Sequence, residues 1–157
     1  MRSSVHFRER KAAARLIIGV GLIGLCLSAG VYIFLHSPNA YMAERRLDRF
    51  MEAVNYNRPA EIYPLLSPRL QDMVSKDGFV KNFQKERSYP YLTPLFIYLD
   101  KIEFNEGKTN GDVQFSVASR LPGEKMRVGI EFVDGAYYID AFEEIVDGSY
   151  IEKFDRL

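Results

Sequence analysis

One cysteine, two histidines and no net charge are the scarcities of this 157-residue sequence. A lone Cys26 excludes an intramolecular disulfide. Both imidazoles, His6 and His36, lie near the amino terminus, so residues 37–157 hold neither thiol nor imidazole. That excludes nucleophilic catalysis by cysteine or by histidine-activated serine, and metal sites built on cysteine or histidine. Lys plus Arg and Asp plus Glu each number 21, so neither the basic excess of a nucleic-acid binder nor the acidic excess of a solvating tail is present. Internal repeats and low-complexity runs are also lacking. Gly19, Gly21 and Gly24 match the spacing of a dinucleotide fingerprint, but inside the apolar run that reads as a membrane span, so the match is noise. Asp147 with Glu143 and Glu144 is too sparse for a carboxylate calcium loop. No cofactor, no metal and no nucleic-acid partner is expected.

What is present is sorted along the chain. Residues 1–15 carry Arg2, Arg8, Arg10, Lys11 and Arg15 against Glu9, a net of +4, and the other 142 residues carry a net of −4. Residues 16–35, LIIGVGLIGLCLSAGVYIFL, form twenty positions without a charge. At about 1.5 Å per residue a helix of that length crosses a hydrocarbon core of about 30 Å. A cleaved signal peptide is the competing reading, with Ser28 and Gly30 as a small-x-small site, but the apolar run continues through Leu35. Leu25 before Cys26 argues against a lipoprotein signal. The basic flank puts the amino terminus in the cytoplasm. The expected layout is a cytoplasmic segment over 1–15, a transmembrane helix over 16–35, a linker over 36–40 and an extracytoplasmic domain over 41–157. Gly24 and Ser28 form a small-xxx-small pair that would let two spans approach.

The domain begins with helical spacing. Ala43, Leu47, Phe50 and Val54 are separated by 4, 3 and 4 residues, which predicts an amphipathic helix over 41–56. Asn57, Arg58 and Pro59 interrupt it, and a short helix is expected over 59–66. Ser67 before Pro68 reads as an N-cap for a further turn through Leu70 and Met73, and Ser75 as the cap of another segment. There Phe79, Val80 and Phe83 face inward, with Lys76, Lys81, Lys85, Glu86 and Arg87 toward solvent. Pro90 and Pro94 close the helical half.

From Leu95 onward the period changes to 2, and turn signals divide the segment into four antiparallel strands. The Asp134-Gly135 turn pairs Val133 with Ala136, Phe132 with Tyr137, Ile130 with Ile139 and Val128 with Ala141. A Pro122-Gly123 turn would pair Val117 with Val128, Phe115 with Ile130 and Val113 with Phe132. The opposite face would carry Gln114, Ser116, Arg127, Glu131, Tyr138, Asp140 and Phe142. On the first strand, about 96–105, the parity of Ile102 and Phe104 carries Tyr98 and Asp100 inward. Ile97 and Leu99 have the other parity, so a mid-strand bulge, or apolar cover on both faces, is equally consistent. Residues 145–157 read as a polar tail with Tyr150, Ile151 and Phe154, with a final helical turn as one option.

A long amphipathic helix, shorter helices marked by Leu66, Ser67 and Pro68, and a meander closed by the hairpin from Asp134 to Ile139 resemble the cystatin-like cone of the nuclear transport factor two superfamily, over residues 40–145. The fold expected is α+β: an amino-terminal transmembrane helix, then about three helices on a curved four-stranded antiparallel sheet. The layout is similar to bacterial membrane-anchored members with the cone outside the cytoplasm, such as the assembly subunit of type IV secretion systems. Superfamily members include enzymes, ligand-binding modules and scaffolds, so the fold does not choose among functions. Cone enzymes isomerise with carboxylate and tyrosine, and the resemblance gives Asp100, Tyr98 and Glu143 as the acid-base candidates, Glu143 by an extrapolated register beside Met126. A carboxyl in an apolar cone would have a raised pKa. Solvation, or pairing of these carboxylates with Lys101, Lys125 or Arg127, is the plainer expectation. Nine Tyr and nine Phe lie among residues 37–157. Most fill the core; for Tyr89, Tyr91, Tyr98 and Tyr138, core or simple surface exposure is the plainer expectation and a ligand or partner surface the alternative. The leading expectation is a non-catalytic interaction module of the cell envelope, whose partners are other envelope proteins or a second copy, with the bilayer at residues 16–35. A small apolar ligand inside the cone, and a lyase or isomerase, are the alternatives.

Overall fold

The computed structural model describes residues 19–34, 37–88, 96–118 and 125–149. The expected cytoplasmic segment 1–15, residues 16–18 and 35 of the expected span, Tyr89, Tyr91 and the Pro90 to Pro94 stretch, the Pro122-Gly123 turn and the end of the tail from Tyr150 lie outside these residues. Residues 19–34 form a helix, α1, in a unit separate from the one that begins at Pro38. Among the described residues no helix is long and apolar enough to cross a membrane.

The second unit is α+β. Five helices follow α1 in chain order: α2 (Ala40–Asn55), α3 (Pro59–Ile62), α4 (Pro68–Met73), α5 (Lys76–Arg87) and, after the sheet, α6 (Glu143–Val146). The strands are β1 (Phe96–Phe104), β2 (Asn110–Ala118), β3 (Lys125–Val133) and β4 (Ala136–Asp140), in the order β1-β2-β3-β4, all antiparallel. Asn39 starts α2 by accepting the amide of Met42 at 3.0 Å. The spacing read from the sequence then does its work: Ala43, Leu47, Phe50 and Val54 are all buried, together with Ala53. This stripe lies on the apolar face of the sheet, against Ile97, Val113, Phe115, Val128, Ile130 and Ile139. Each such side chain contributes about 1.5–3 kcal/mol by leaving water.

The short helices differ from expectation in detail. Pro64 interrupts the segment expected over 59–66, so α3 ends at Ile62 and a 3-10 turn, Tyr63–Leu65, takes over. Instead of about three helices in the domain there are four before the sheet and one after it. On α5 the Ser75 hydroxyl does accept the amide of Gly78, at 3.2 Å. The inward row, however, runs Phe79, Phe83, Glu86 at spacings of 4 and 3. Glu86, expected toward solvent, therefore lies on the core side and is only 2% exposed.

The β3–β4 hairpin has the expected register from Val133↔Ala136 to Ile130↔Ile139, and the ladder stops at Gly129↔Asp140 before Val128 and Ala141 can pair. The β2–β3 register is corrected by four residues. Val113 faces Val128 and Phe115 faces Met126, and pairing ends at Ser116↔Lys125, well short of the two-residue turn expected at Pro122-Gly123. Gly111 constrains the neighbouring β1–β2 register instead. It pairs with both Phe104 and Ile130, and a Cβ there would come within 2.7 Å of the Glu103 carbonyl oxygen and 3.1 Å of the Phe104 ring. The aromatic ring thus covers a residue that has no side chain, a pairing only glycine permits. Because the slip is an even number of residues, every β2 side chain keeps its expected face.

On β1 the bulge alternative is the one realised. Leu99 pairs with Phe115 and Lys101 with Gln114, which leaves Asp100 as the extra residue. Ile97 is fully buried and Leu99 half-buried, whereas Tyr98 and Asp100 point outward. Beyond the bulge Ile102 and Phe104 return to the apolar side.

Candidate functional site

The three carboxylate and tyrosine candidates are not brought together inside the sheet's curve. Asp100 is turned by the bulge onto the outer face, where its carboxylate accepts from Lys125 and, at 3.3 Å, from the Gln114 amide. Lys125 also donates to the Ser116 hydroxyl at 2.7 Å. The hydrogen bond from Lys125, reinforced by Ser116 and Gln114, holds the Asp100 carboxyl below the ordinary carboxylate range. The raised pKa expected of a carboxyl in an apolar cone is therefore reversed. Tyr98 is 57% exposed on the same strand. Glu143 is not beside Met126: it opens α6 and pairs with Arg69 at 2.7 Å. The plainer reading, solvated or paired carboxylates, describes both acids.

Arg69 is the centre of a second polar group. Its guanidinium reaches Glu143 with one nitrogen and Asp140, at 3.3 Å, with another. Asp140 also accepts from the Ser67 hydroxyl at 2.6 Å. Ser67 was expected to cap α4, and its backbone does sit before Pro68, but its side chain makes no capping bond. The reason is competition: Leu66 bridges to Ile139, Ser67 N–H donates to the Ile139 carbonyl at 3.0 Å, and the hydroxyl is thereby delivered to the end of β4. This arrangement clips the α4 start to the free edge of β4. Two carboxylates held by one arginine make a structural tie, and among the described residues no group of three His, Cys, Asp or Glu is placed to hold a metal ion.

Aromatic rings occupy the interior. Phe50 packs on Phe115 at 6.0 Å and on Phe142 at 5.6 Å, Phe142 meets Phe83 edge-on at 5.4 Å, and Phe79 continues the row at 5.7 Å from Phe83. Phe142 was expected on the outer face. It adopts a left-handed conformation, φ 64°, which ends the strand alternation and swings the ring inward. Nothing in a period-2 pattern signals that reversal.

Of the four tyrosines considered for a ligand or partner surface, Tyr89 and Tyr91 lie outside the described residues. Tyr138 is half-buried with the Arg46 guanidinium 5.2 Å over its ring. Tyr98 is open, and Phe96, which sequence reasoning did not single out, accompanies it two residues away at 44% exposure. Their shared parity on β1 was the available signal. Compared with protein-family models and with curated proteins, the chain matches none.

Proposed function

We propose that the chain is a membrane-anchored, non-catalytic interaction module of the cell envelope, with the basic segment 1–15 in the cytoplasm, residues 16–35 in the bilayer and a cone of the nuclear transport factor two kind outside the cytoplasm. The observation that carries the reading is the disposition of Asp100 and the aromatic rings. The strand carboxylate expected to do acid-base work is turned outward and kept ionised by Lys125, while Phe50, Phe115, Phe142 and Phe83 occupy the interior a substrate would need. Asp100 and Glu143 are both held in ion pairs, and Phe96 and Tyr98 at the surface are apolar enough to be useful to a partner. The anchor is supported by α1, which exposes Leu22, Ile23, Leu25, Leu27, Val31 and Ile33 around its circumference, a surface suited to lipid. The partner is another envelope protein or a second copy of the chain.

The test is a photo-crosslinking residue at Tyr98 or Phe96 in the full chain, expressed in its own membrane. A discrete adduct of protein mass is expected at one or both positions. Native mass spectrometry of the same chain in detergent is the counter-test. A stoichiometric small-molecule adduct together with no crosslink at either position would overturn the reading in favour of a ligand-binding cone.

A further inference from the structure

A groove of about 440 Å³ lies between α2 and the α3 region, with Arg46, Arg49 and Glu52 along one wall. These residues follow at i, i+3 and i+6, so they form one row on the helix. Ala60, Pro64 and Leu65 supply an apolar side, and Glu61 completes the lining. The charges in this groove are unevenly matched. Arg58 bridges Glu52 and Glu61 at 3.6 Å each, so both carboxylates already have a cation. Arg46 has no carboxylate partner among the described residues. One of its nitrogens donates to the Pro64 carbonyl at 2.8 Å, its plane covers Tyr138, and its Nε is buried without a hydrogen-bond partner. Burial and the neighbouring Arg49 both act against its charge. Arg49 is exposed and makes no ion pair among the described residues. Arg58, outside the lining, takes both carboxylates, so among the described residues Arg46 and Arg49 are the groove's cations without a carboxylate.

We propose that this groove binds a carboxylate carried on a short aliphatic group, the carboxylate between Arg46 and Arg49 and the aliphatic part on Ala60, Pro64 and Leu65. A single carboxylate meets the two guanidiniums, whereas a second negative charge meets Glu52 and Glu61. Arginine forks present paired donors to a planar carboxylate, and the apolar side distinguishes an aliphatic acid from acetate. That chemistry is shared by a free short-chain acid and by the carboxyl terminus of a polypeptide ending in an aliphatic residue. The site is separate from Phe96 and Tyr98, so it stands or falls independently of the crosslinking test above.

The experiment is an NMR titration of the full-length, isotope-labelled chain in detergent, following backbone amides of α2 and α3 and arginine side-chain N–H signals. The probes are butyrate, acetate and the tripeptide Gly-Ala-Val as free acid and as amide. Saturable shifts with butyrate, weaker with acetate, are expected. Arg49→Gln removes one charge-assisted contact from an exposed position and raises the Kd about tenfold. Glu52→Gln, which removes a repelling charge, lowers it. If the free-acid tripeptide binds more tightly than butyrate and its amide does not bind, the source is a polypeptide terminus; if butyrate binds at least as well as the tripeptide, it is a free acid. The absence of saturable shifts at tens of millimolar of every probe, or shifts that persist unchanged in Arg49→Gln, overturns the proposal.

Discussion

Phe142 offers a stringent test of the packing because backbone and side chain oppose each other there. Its φ of 64° and ψ of 29° are left-handed, a conformation that costs an L-residue about 1–2 kcal/mol. What holds it there is the ring, wedged 5.6 Å from Phe50 and 5.4 Å from Phe83. Its carbonyl also accepts the amides of Ile145 and Val146 at 2.9 and 2.8 Å and so starts α6. Removal of the ring in Phe142→Ala loses two aromatic contacts and part of the burial of a phenylalanine. Since the residue is half-buried, about 2–4 kcal/mol is expected, toward the lower part of the core range. Phe142→Gly loses the same ring but releases the backbone. At an ordinary position glycine is about 0.5–1 kcal/mol worse than alanine, through the entropy of the unfolded chain. At a left-handed position the strain relief exceeds that cost, so the glycine variant should equal the alanine variant or exceed its stability by up to about 1 kcal/mol. The assay is urea unfolding of the full chain in detergent, followed by circular dichroism and tyrosine fluorescence, since the sequence has no tryptophan. An alanine variant more stable than the glycine variant by about 0.5 kcal/mol or more would refute the conformational argument.

Three further outcomes can be checked by the same unfolding measurements. Ser67→Ala strips Asp140 of a 2.6 Å hydrogen bond made by a fully buried hydroxyl and should cost about 1–2 kcal/mol; no loss would mean that the clip between α4 and β4 contributes nothing. Glu86 has its carboxyl pushed up by burial, opposed by Lys85, so the fold favours the protonated form. Its contribution to stability must then fall as pH rises from the ordinary value of 4.5 through the raised one, and the difference between Glu86→Gln and the parent chain should grow with pH across that window. A flat difference curve would sink this account. Asp100 has the opposite sign: its depressed carboxyl stabilises the fold above the ordinary 3.8, and this contribution is lost as pH falls through the depressed value. Asp100→Asn should therefore flatten the acid limb, and an unchanged limb would show that the Lys125 contact is not maintained in solution.

Local periodicity made α2 and the β3–β4 hairpin readable, because in each the apolar residues recur at one spacing and a single face must be buried. The bulge on β1 was legible as an alternative, since Ile97 and Leu99 conflict in parity with Ile102 and Phe104. Sequence reasoning failed where a tertiary partner outbids a local signal. Ser67 has every mark of an N-cap, yet Asp140, distant in sequence, takes its hydroxyl. The β2–β3 register departs from the Pro122-Gly123 turn signal, because its pairing ends at Ser116↔Lys125, well short of that dipeptide. Glu86 was assigned to water by residue type, although the helical row from Phe79 through Phe83 points to it. Of the candidate site, the pairing of Asp100 with Lys125 was readable as the plainer expectation, and the arginine groove was not, because it depends on where α3 docks against α2.

Part of each sheet edge is covered by the chain itself, at Ile139 on β4 and at Ile97 and Leu99 on β1, and this restricts how a partner can bind there. Leu66 and Ser67 occupy the Ile139 position of β4. At the other edge the Asn55 side chain mimics a neighbouring strand: its amide nitrogen donates to the Ile97 carbonyl at 3.0 Å and its oxygen accepts the Ile97 amide at 2.8 Å. The Met51 sulfur takes the Leu99 amide at 3.1 Å. A strand-adding partner would have to displace these groups, so partners should be read through side chains such as Phe96 and Tyr98 instead. The clamp also makes a prediction. Asn55→Ala removes both bonds and leaves the Ile97 backbone unsatisfied, at a cost of about 1–3 kcal/mol. It also opens a strand edge flanked by exposed Phe96 and Tyr98, and association that grows with protein concentration should appear in sedimentation of the full chain in detergent. If the variant loses stability but sediments as the parent does at every concentration, the Asn55 clamp is a packing contact only. The exclusion of strand-adding partners would then have to rest on the bulge at Asp100, which bends β1 away from any flat extension of the sheet.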